Sequence, residues 1–109
     1  MISFPVFLTA DAARDLLDIY AYIQSCDVPG KADTVLDNLE QAVNSLSELP
    51  QRGTYPKELL PLGIREYREI YVHAYRIVYR VVDSTVYILL IADGRRDMQD
   101  LLQRRLLSS

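Results

Sequence analysis

The sequence contains very little of the chemistry that metal sites and many enzyme active sites require. It holds one cysteine and one histidine in 109 residues. The single Cys26 cannot form an internal disulfide, and it is expected to be an inert packed side chain. One cysteine and one histidine cannot supply a zinc site of four such ligands. The chain also lacks a glycine-rich phosphate loop and a Ser-His-Asp pattern, so neither a metal nor a cofactor is expected.

Long apolar runs are missing as well. No stretch approaches the ~20 consecutive apolar residues that a membrane-spanning helix needs. The first residues, MISFPVF, lack both the basic region and the apolar region of a signal peptide. These absences predict a cytoplasmic protein with no membrane partner. The length favours one domain over residues 1–109, built around one core.

Charge is distributed unevenly along the chain, whose net charge is −3. Residues 1–51 carry two basic and eight acidic side chains, whereas residues 52–109 carry ten basic and seven acidic. This asymmetry predicts a partner that meets the second half. Dedicated nucleic-acid binders carry a larger basic excess, so direct sequence-specific nucleic-acid binding is not expected.

Residues 65–97 predict three consecutive antiparallel strands. The middle segment, YRIVYRVV, alternates with the period of two that is typical of a strand. His73-Ala74 and Asp83-Ser84 are predicted to form the two turns. The uncharged run Thr85 to Ala92 predicts a strand covered on both faces and central in its sheet. Residues 65–72 are rich in charge and predict a half-exposed strand.

The first half of the chain predicts an edge strand followed by two helices. Proline cannot donate to a strand ladder, so Pro5 restricts residues 2–8 to an edge strand or a bulged one. Thr9 is a suitable N-cap for the first helix, and Asp15 is expected to be wet together with Arg14 and Asp18. The stripe predicted to be buried consists of Ala13, Leu16, Leu17, Tyr20 and Ile23.

The second helix is predicted to begin at Pro29 and to extend about 20 residues, roughly 30 Å, to Leu49 before Pro50. A short C-terminal helix follows, with Asp97 as its N-cap. The predicted fold class is α+β: an N-terminal strand, an antiparallel helical hairpin packed on an antiparallel β-sheet (a three-stranded meander), and the short C-terminal helix.

Arginines are the most promising contact residues. Alternation places Arg76 and Arg80 on one face of a strand. One interpretation is that the arginines pair with acids such as Glu66, Glu69, Asp93 and Asp97. The other is a concave basic patch that grips an anionic ligand or an acidic peptide. The partner-binding candidates are Arg68, Arg76, Arg80, Arg95, Arg96 and Tyr75; His73 is either a simple turn residue or a further contact.

Four segments resemble the RelE/ParE toxin superfamily of bacterial toxin–antitoxin modules. They are LTADAARDLLDIYAYI, LPQRGTYP, YREIYVHAYRIVYRV and ILLIADGRRD. The most specific parts are AYRIVYRV, and GRRD after an apolar strand. The resemblance covers essentially the whole chain. It implies a helical hairpin on an antiparallel sheet and a toxin that forms a hetero-oligomer with a cognate antitoxin, whose extended tail wraps the sheet and the helical groove.

The superfamily divides by target. The resemblance implies either a ParE-like inhibitor of DNA gyrase or a RelE-like endoribonuclease that cuts ribosome-bound messenger RNA. The RelE-like basic positions are matched by Arg68, Arg76 and Arg96, with His73 as a possible proton-transfer group. However, Leu102 stands six residues after Arg96, where a RelE-like tyrosine would fall, and leucine cannot transfer a proton. The ParE-like, non-nuclease branch is therefore favoured.

Overall fold

The computed structural model describes residues 3–26 and 28–107. The elements, in chain order, are β1 (Val6–Leu8), α1 (Ala10–Gln24), α2 (Lys31–Ser45), a 3₁₀ turn (Leu60–Leu62), β2 (Arg68–Val72), β3 (Tyr75–Val82), β4 (Thr85–Asp93), α3 (Met98–Leu102) and a π-helical turn (Gln103–Leu107). This confirms the predicted α+β class. None of the helices in the described residues is long and apolar enough to cross a membrane.

The four strands form one sheet in the order β1-β4-β3-β2. The meander β2-β3-β4 is antiparallel, and β4 lies inside the sheet as its uncharged sequence predicts. β1 is an edge strand, also as predicted, but it runs parallel to β4, so the sheet is mixed. Both turns are where the sequence places them. His73, Asp83 and Ser84 adopt positive φ angles there, which short hairpin turns require.

Helix α1 begins as predicted, with the Thr9 hydroxyl accepting from the Ala12 amide at 3.2 Å. Its buried stripe differs from the prediction. Ala12 and Ile23 are buried, whereas Leu17 is 70% exposed and Ala13 is also exposed. The helix is therefore rotated relative to the predicted stripe, and its contact with the core buries Ala12 in place of Ala13.

Helix α2 is shorter than predicted. It covers 15 residues, and Gly30, with φ of 78°, precedes it in place of a proline at the first helical position. After Ser45 the chain continues in turns, yet Leu46 is fully buried. Leu46 therefore continues the buried stripe beyond the helix, whereas Leu49, which is 61% exposed, does not.

Two apolar clusters cover the two faces of the sheet. One lies between the sheet and α1 and α2, and includes Leu39, Leu46, Ile77, Tyr79 and Ile88. The other lies on the opposite face, where α3 and the segment before β2 contribute Leu59, Tyr67, Met98, Leu101 and Leu102. α3 therefore packs on the face opposite the helical hairpin. Its N-cap is Asp97, as predicted, which accepts from the Asp100 amide at 3.1 Å.

Candidate functional site

Arg76 is the most deeply buried of the predicted site residues. Only 3% of it is exposed. Its Nη1 and Nη2 donate to the two carboxylate oxygens of Glu58 at 2.8 Å each, and its Nε donates to Glu69 at 2.8 Å. Its Nη2 also contacts Glu69. The hydrogen bonds to Glu58 raise the pKa of Arg76, and the same contact lowers the pKa of Glu58. Two carboxylates thus fully neutralise this guanidinium.

Neighbouring elements hold Arg76 in place. Tyr71 lies opposite it on β2, with its ring centroid 5.7 Å from the guanidinium carbon. The Tyr71 hydroxyl donates to Glu69 at 3.0 Å. On the other side the stem of Arg76 passes so close to Gly94 that a Cβ there would lie 3.0 Å from Cδ. A ligand could reach Arg76 only by displacing Glu58 or Glu69.

Arg68 and Arg80 lie on opposite faces of the sheet. Arg68 pairs in register with Tyr79, whose ring belongs to the core under the helical hairpin. Its Nη1 donates to the Gly53 carbonyl at 2.7 Å. Arg80 shares the face of Arg76, as the alternation predicts, and lies 5.9 Å over the ring of Tyr67. It is 3.8 Å from Glu66, and its side chain is 44% exposed. The predicted arginines therefore do not form one continuous patch.

The remaining predicted residues meet in an open groove of about 1000 Å³ between the helical hairpin and the end of the sheet. One side carries His73, Tyr75, Arg95 and Arg96, and the other side is formed by α1 and α2. Burial raises the pKa of Tyr75, with Asp93 adding to the shift. Arg95 is 84% exposed and pairs with Asp93 at 2.6 Å. The lining combines apolar side chains of the helices and the sheet with three acidic residues (Asp15, Asp18 and Asp93) and three basic ones (Lys31, Arg95 and Arg96).

His73 and Arg96 line the same groove, whereas Arg76 is not among its lining residues. Arg68 is not among them either, so the four residues implied for a nuclease do not converge. Cys26 also lines the groove and is exposed, which corrects the prediction that it is packed. Its thiol donates to the Tyr22 carbonyl at 3.4 Å, because it sits in the turn just beyond α1 rather than on its buried face.

Leu102, at the position implied for a catalytic tyrosine, is completely buried. It belongs to the cluster that α3 forms with the sheet. Its side chain fills the core, so this position neither faces a solvent-filled cleft nor offers a group that can titrate. The apolar side chain at this position is consistent with its complete burial.

Sequence reasoning missed two sets of contacts. Glu58 lies between α2 and β2, and nothing in its local pattern indicates a bond to Arg76. Asp15 was predicted to be wet, but it forms a bidentate pair with Arg105 at 2.9 Å and accepts from the Ile91 amide at 3.0 Å. The partners are 90 residues apart, so no local pattern could have predicted the pair.

Solved structures of known proteins share this fold. The chromosomal ParDE toxin–antitoxin system from P. aeruginosa aligns with a TM-score of 0.69 at 21% identity, covering 85% of this chain and 98% of the other. The toxin–antitoxin complex RelBE2 from Mycobacterium tuberculosis gives 0.61 at 24%, covering 84% and 99%. A mutant of the E. coli toxin RelE in the free state gives 0.63 at 16%, covering 95% and 99%.

Sequence comparison agrees with the fold. No curated protein sequence matches this chain significantly. A family model described as the ParE toxin of the type II toxin–antitoxin system parDE matches residues 6–98, from β1 to the start of α3. The matched region contains the whole sheet, the helical hairpin and the arginine-bearing turn after β4. The chain belongs to the ParE toxin family of type II toxin–antitoxin systems.

Proposed function

We propose that this toxin inhibits DNA gyrase and that a cognate antitoxin neutralises it in a hetero-oligomer. The observation that carries the proposal is the pair of buried residues at the implied catalytic positions. Leu102 is fully buried, and Arg76 is bound to two carboxylates. A nuclease needs a positioned acid or base, whose loss typically costs about 10²–10⁴ in rate. Inhibition of a protein target needs no such group.

Exposed residues of the groove and sheet are the proposed contacts. Arg95 and Arg96 are exposed, and Arg80 and Tyr75 are partly so. Arginine and tyrosine are enriched among residues that dominate binding energies at protein interfaces. Arg68 is half-buried against Gly53, so it would contribute only its outer edge. The proposed binding site of the antitoxin is the groove. An antitoxin segment that folds on binding would bury about 1,000–3,000 Å² of surface.

A supercoiling assay with purified gyrase tests the proposal. Micromolar toxin is expected to block supercoiling, and adding the antitoxin should restore it. Arg96→Ala is expected to weaken inhibition. Arg104→Ala is the matched control, because Arg104 is 65% exposed in the π-helical turn after α3 and its ion pair with Asp100 is local. Unimpaired supercoiling in the presence of the wild-type toxin would contradict the proposal.

A ribosome-dependent endoribonuclease is the second candidate. The observation that favours it is that His73 and Arg96 line one open groove, so a titratable group and a free cation could both reach a bound RNA. Toeprinting on stalled ribosomes should then show cleavage that His73→Gln abolishes. Intact messenger RNA with the wild-type toxin would eliminate this function.

A further inference from the structure

A second, smaller cavity of about 310 Å³ lies at the β2 edge of the sheet and shares no lining residue with the groove. β2 begins at Arg68, which pairs with Tyr79, whereas β3 continues to Val82. Residues 80–82 therefore extend beyond β2, and the cavity lies beside this extension, where both faces of the sheet reach it. Its lining residues are Gln51, Arg65, Glu66, Arg68, Arg80 and Val81. We call it the arginine cavity.

The lining of the arginine cavity has an excess of positive charge. Three of its residues are arginines and one, Glu66, is acidic, which gives a net charge of +2. Arg80 Nη2 lies 3.8 Å from Glu66, beyond hydrogen-bond distance, and the Glu66 side chain is 60% exposed. Water screens a pair of this kind, so Glu66 holds Arg80 only weakly. The arginines are thus not saturated by carboxylates, in contrast to Arg76.

Two of the three arginines are positioned by tyrosine rings. The guanidinium carbon of Arg68 lies 4.8 Å from the ring centroid of Tyr55, and that of Arg80 lies 5.9 Å from the ring centroid of Tyr67. Arg68 Nη1 also donates to the Gly53 carbonyl at 2.7 Å. A guanidinium stacked on a ring keeps its N–H donors available in its own plane. These two side chains therefore lose little further freedom when they bind a ligand.

Arg65 has no protein partner in the described ranges. Its side chain is exposed, and it forms no ion pair or hydrogen bond with another side chain in residues 3–26 and 28–107. A guanidinium carries five N–H donors in a planar fork. Arg65 can therefore turn toward a ligand in the cavity without breaking a contact within the protein.

The charge and the size of the arginine cavity together select the ligand chemistry. A phosphate monoester carries about −1.5 to −2 charges at pH 7, which matches the net charge of the lining. Its three terminal oxygens suit the bidentate geometry of guanidinium groups. A carboxylate or a phosphodiester carries only one negative charge. The volume lies at the lower end of the roughly 300–1,000 Å³ that small-molecule sites occupy, so the cavity favours a small ligand.

We propose that the arginine cavity is a binding site for the phosphate monoester group of a small molecule. Arg68 and Arg80 provide fixed donors, and Arg65 closes on the phosphate from the exposed side. The inference does not depend on the proposed inhibition of gyrase or on neutralisation by an antitoxin, because neither requires a phosphorylated ligand.

Nuclear magnetic resonance titration of the full chain tests the proposal. The probes are methyl phosphate, a monoester, and dimethyl phosphate, a diester, at equal ionic strength and pH 8. Methyl phosphate should shift the side-chain Nε resonances of Arg65, Arg68 and Arg80 and saturate in the millimolar range or below. Dimethyl phosphate should bind at least about fivefold more weakly, because it has lost one charge and two terminal acceptors. Inorganic phosphate should behave like methyl phosphate.

Two variants sharpen the test. Arg65→Gln should weaken methyl phosphate binding about tenfold, because a charge-assisted contact is lost, and it should leave thermal unfolding unchanged. Glu66→Gln should tighten binding about two- to fivefold, because the carboxylate that repels the phosphate is removed. Arg104→Gln is the matched control: it removes one exposed positive charge from the π-helical turn after α3 and should bind like the wild type.

Four results would overturn the inference. The absence of saturable shifts would show that the cavity is not a phosphate site. Equal weakening by Arg65→Gln and Arg104→Gln would show a general effect of net charge, and equal affinity for the two esters would show that the second charge is not recognised. Tighter binding of a thymidine oligonucleotide without terminal phosphates, at the same concentration of phosphate groups, would assign the arginines to nucleic acid. Each of these results leaves the supercoiling assay unaffected.

Discussion

Two arginine environments in this toxin differ in almost every respect, although both lie on the strands and turns of one sheet. Arg76 is 3% exposed and shared by two carboxylates, one of which, Glu69, is itself 3% exposed. Arg95 is 84% exposed and pairs with Asp93 two residues away. The first is a structural element that connects β2, β3 and the segment before the sheet. The second side chain is exposed, and a partner could bind it by replacing its weak ion pair with Asp93.

The difference teaches that arginines on one sheet can have different physical roles, which their burial and their partners decide. Desolvating a guanidinium is costly unless its partners are well placed, and once buried it cannot be removed without leaving charges unpaired. An exposed ion pair contributes little, so its members can change partners freely. We therefore expect stability to depend on the buried arginine and partner recognition on the exposed one. Mutations can then change one property without the other.

The largest effect is expected from Arg76→Met. It leaves Glu58 and Glu69 without their cation in a largely buried site, so the free energy of unfolding should fall by about 3–5 kcal/mol. Urea denaturation measures this change. The triple variant Arg76→Met, Glu58→Gln, Glu69→Gln should recover part of the loss. A loss below about 1 kcal/mol would show that Arg76 belongs with the exposed arginines.

The next effect concerns a buried hydroxyl on the hairpin side of the sheet. Tyr79 is fully buried, and its hydroxyl donates to the Pro50 carbonyl at 2.8 Å and accepts from the Gly53 amide at 2.9 Å. Tyr79→Phe should cost about 1–3 kcal/mol, because both backbone groups lose a partner. Thermal unfolding monitored by circular dichroism tests this. Tyr87→Phe, on an exposed part of the sheet, is the control and should be near neutral.

Acid sensitivity should distinguish the two environments. Arg76 lowers the pKa of Glu58 below its ordinary value of 4.5, so the pair stabilises the fold above that pH and is lost as pH falls through the folded-state pKa. Glu58→Gln should flatten the decline of unfolding free energy below pH 4.5. Asp93→Asn should flatten it less, although Arg95 also lowers the pKa of Asp93, because solvent screens that pair. Equal flattening by both variants would contradict the distinction.

The smallest effect on stability is expected from Arg95→Ala. Its ion pair with Asp93 is exposed, so the free energy of unfolding should change by less than about 1 kcal/mol. Binding of the antitoxin should nevertheless weaken, because Arg95 lies on the rim of the groove. Isothermal titration calorimetry beside urea denaturation measures both quantities. A large loss of stability would show that Arg95 is structural.

Local patterns predicted the features that depend on neighbouring residues. Residue types within a few positions of each feature were enough to predict it. The features predicted in this way are the N-caps Thr9 and Asp97, both hairpin turns and the interior position of β4. The rotation of α1 was not predictable, because Ala12 and Ala13 are equally suited to burial and only the contacts with the core distinguish them. The pairing of Arg76 with Glu58 and of Asp15 with Arg105 was not predictable either. Those partners are 18 and 90 residues apart and meet only when the chain has folded.

The side chain of Arg76 passes close to Gly94, the first residue of the motif Gly94-Arg95-Arg96-Asp97. The buried stem of Arg76 leaves little room for a side chain at residue 94, which is glycine. A Cβ there would lie 3.0 Å from Arg76 Cδ and 3.2 Å from the Ala74 carbonyl oxygen. Asp97 is fixed by the helix that it starts. The two arginines between them are exposed. Four adjacent residues can thus be constrained for different physical reasons, and we expect substitutions of the middle two to leave the fold unchanged.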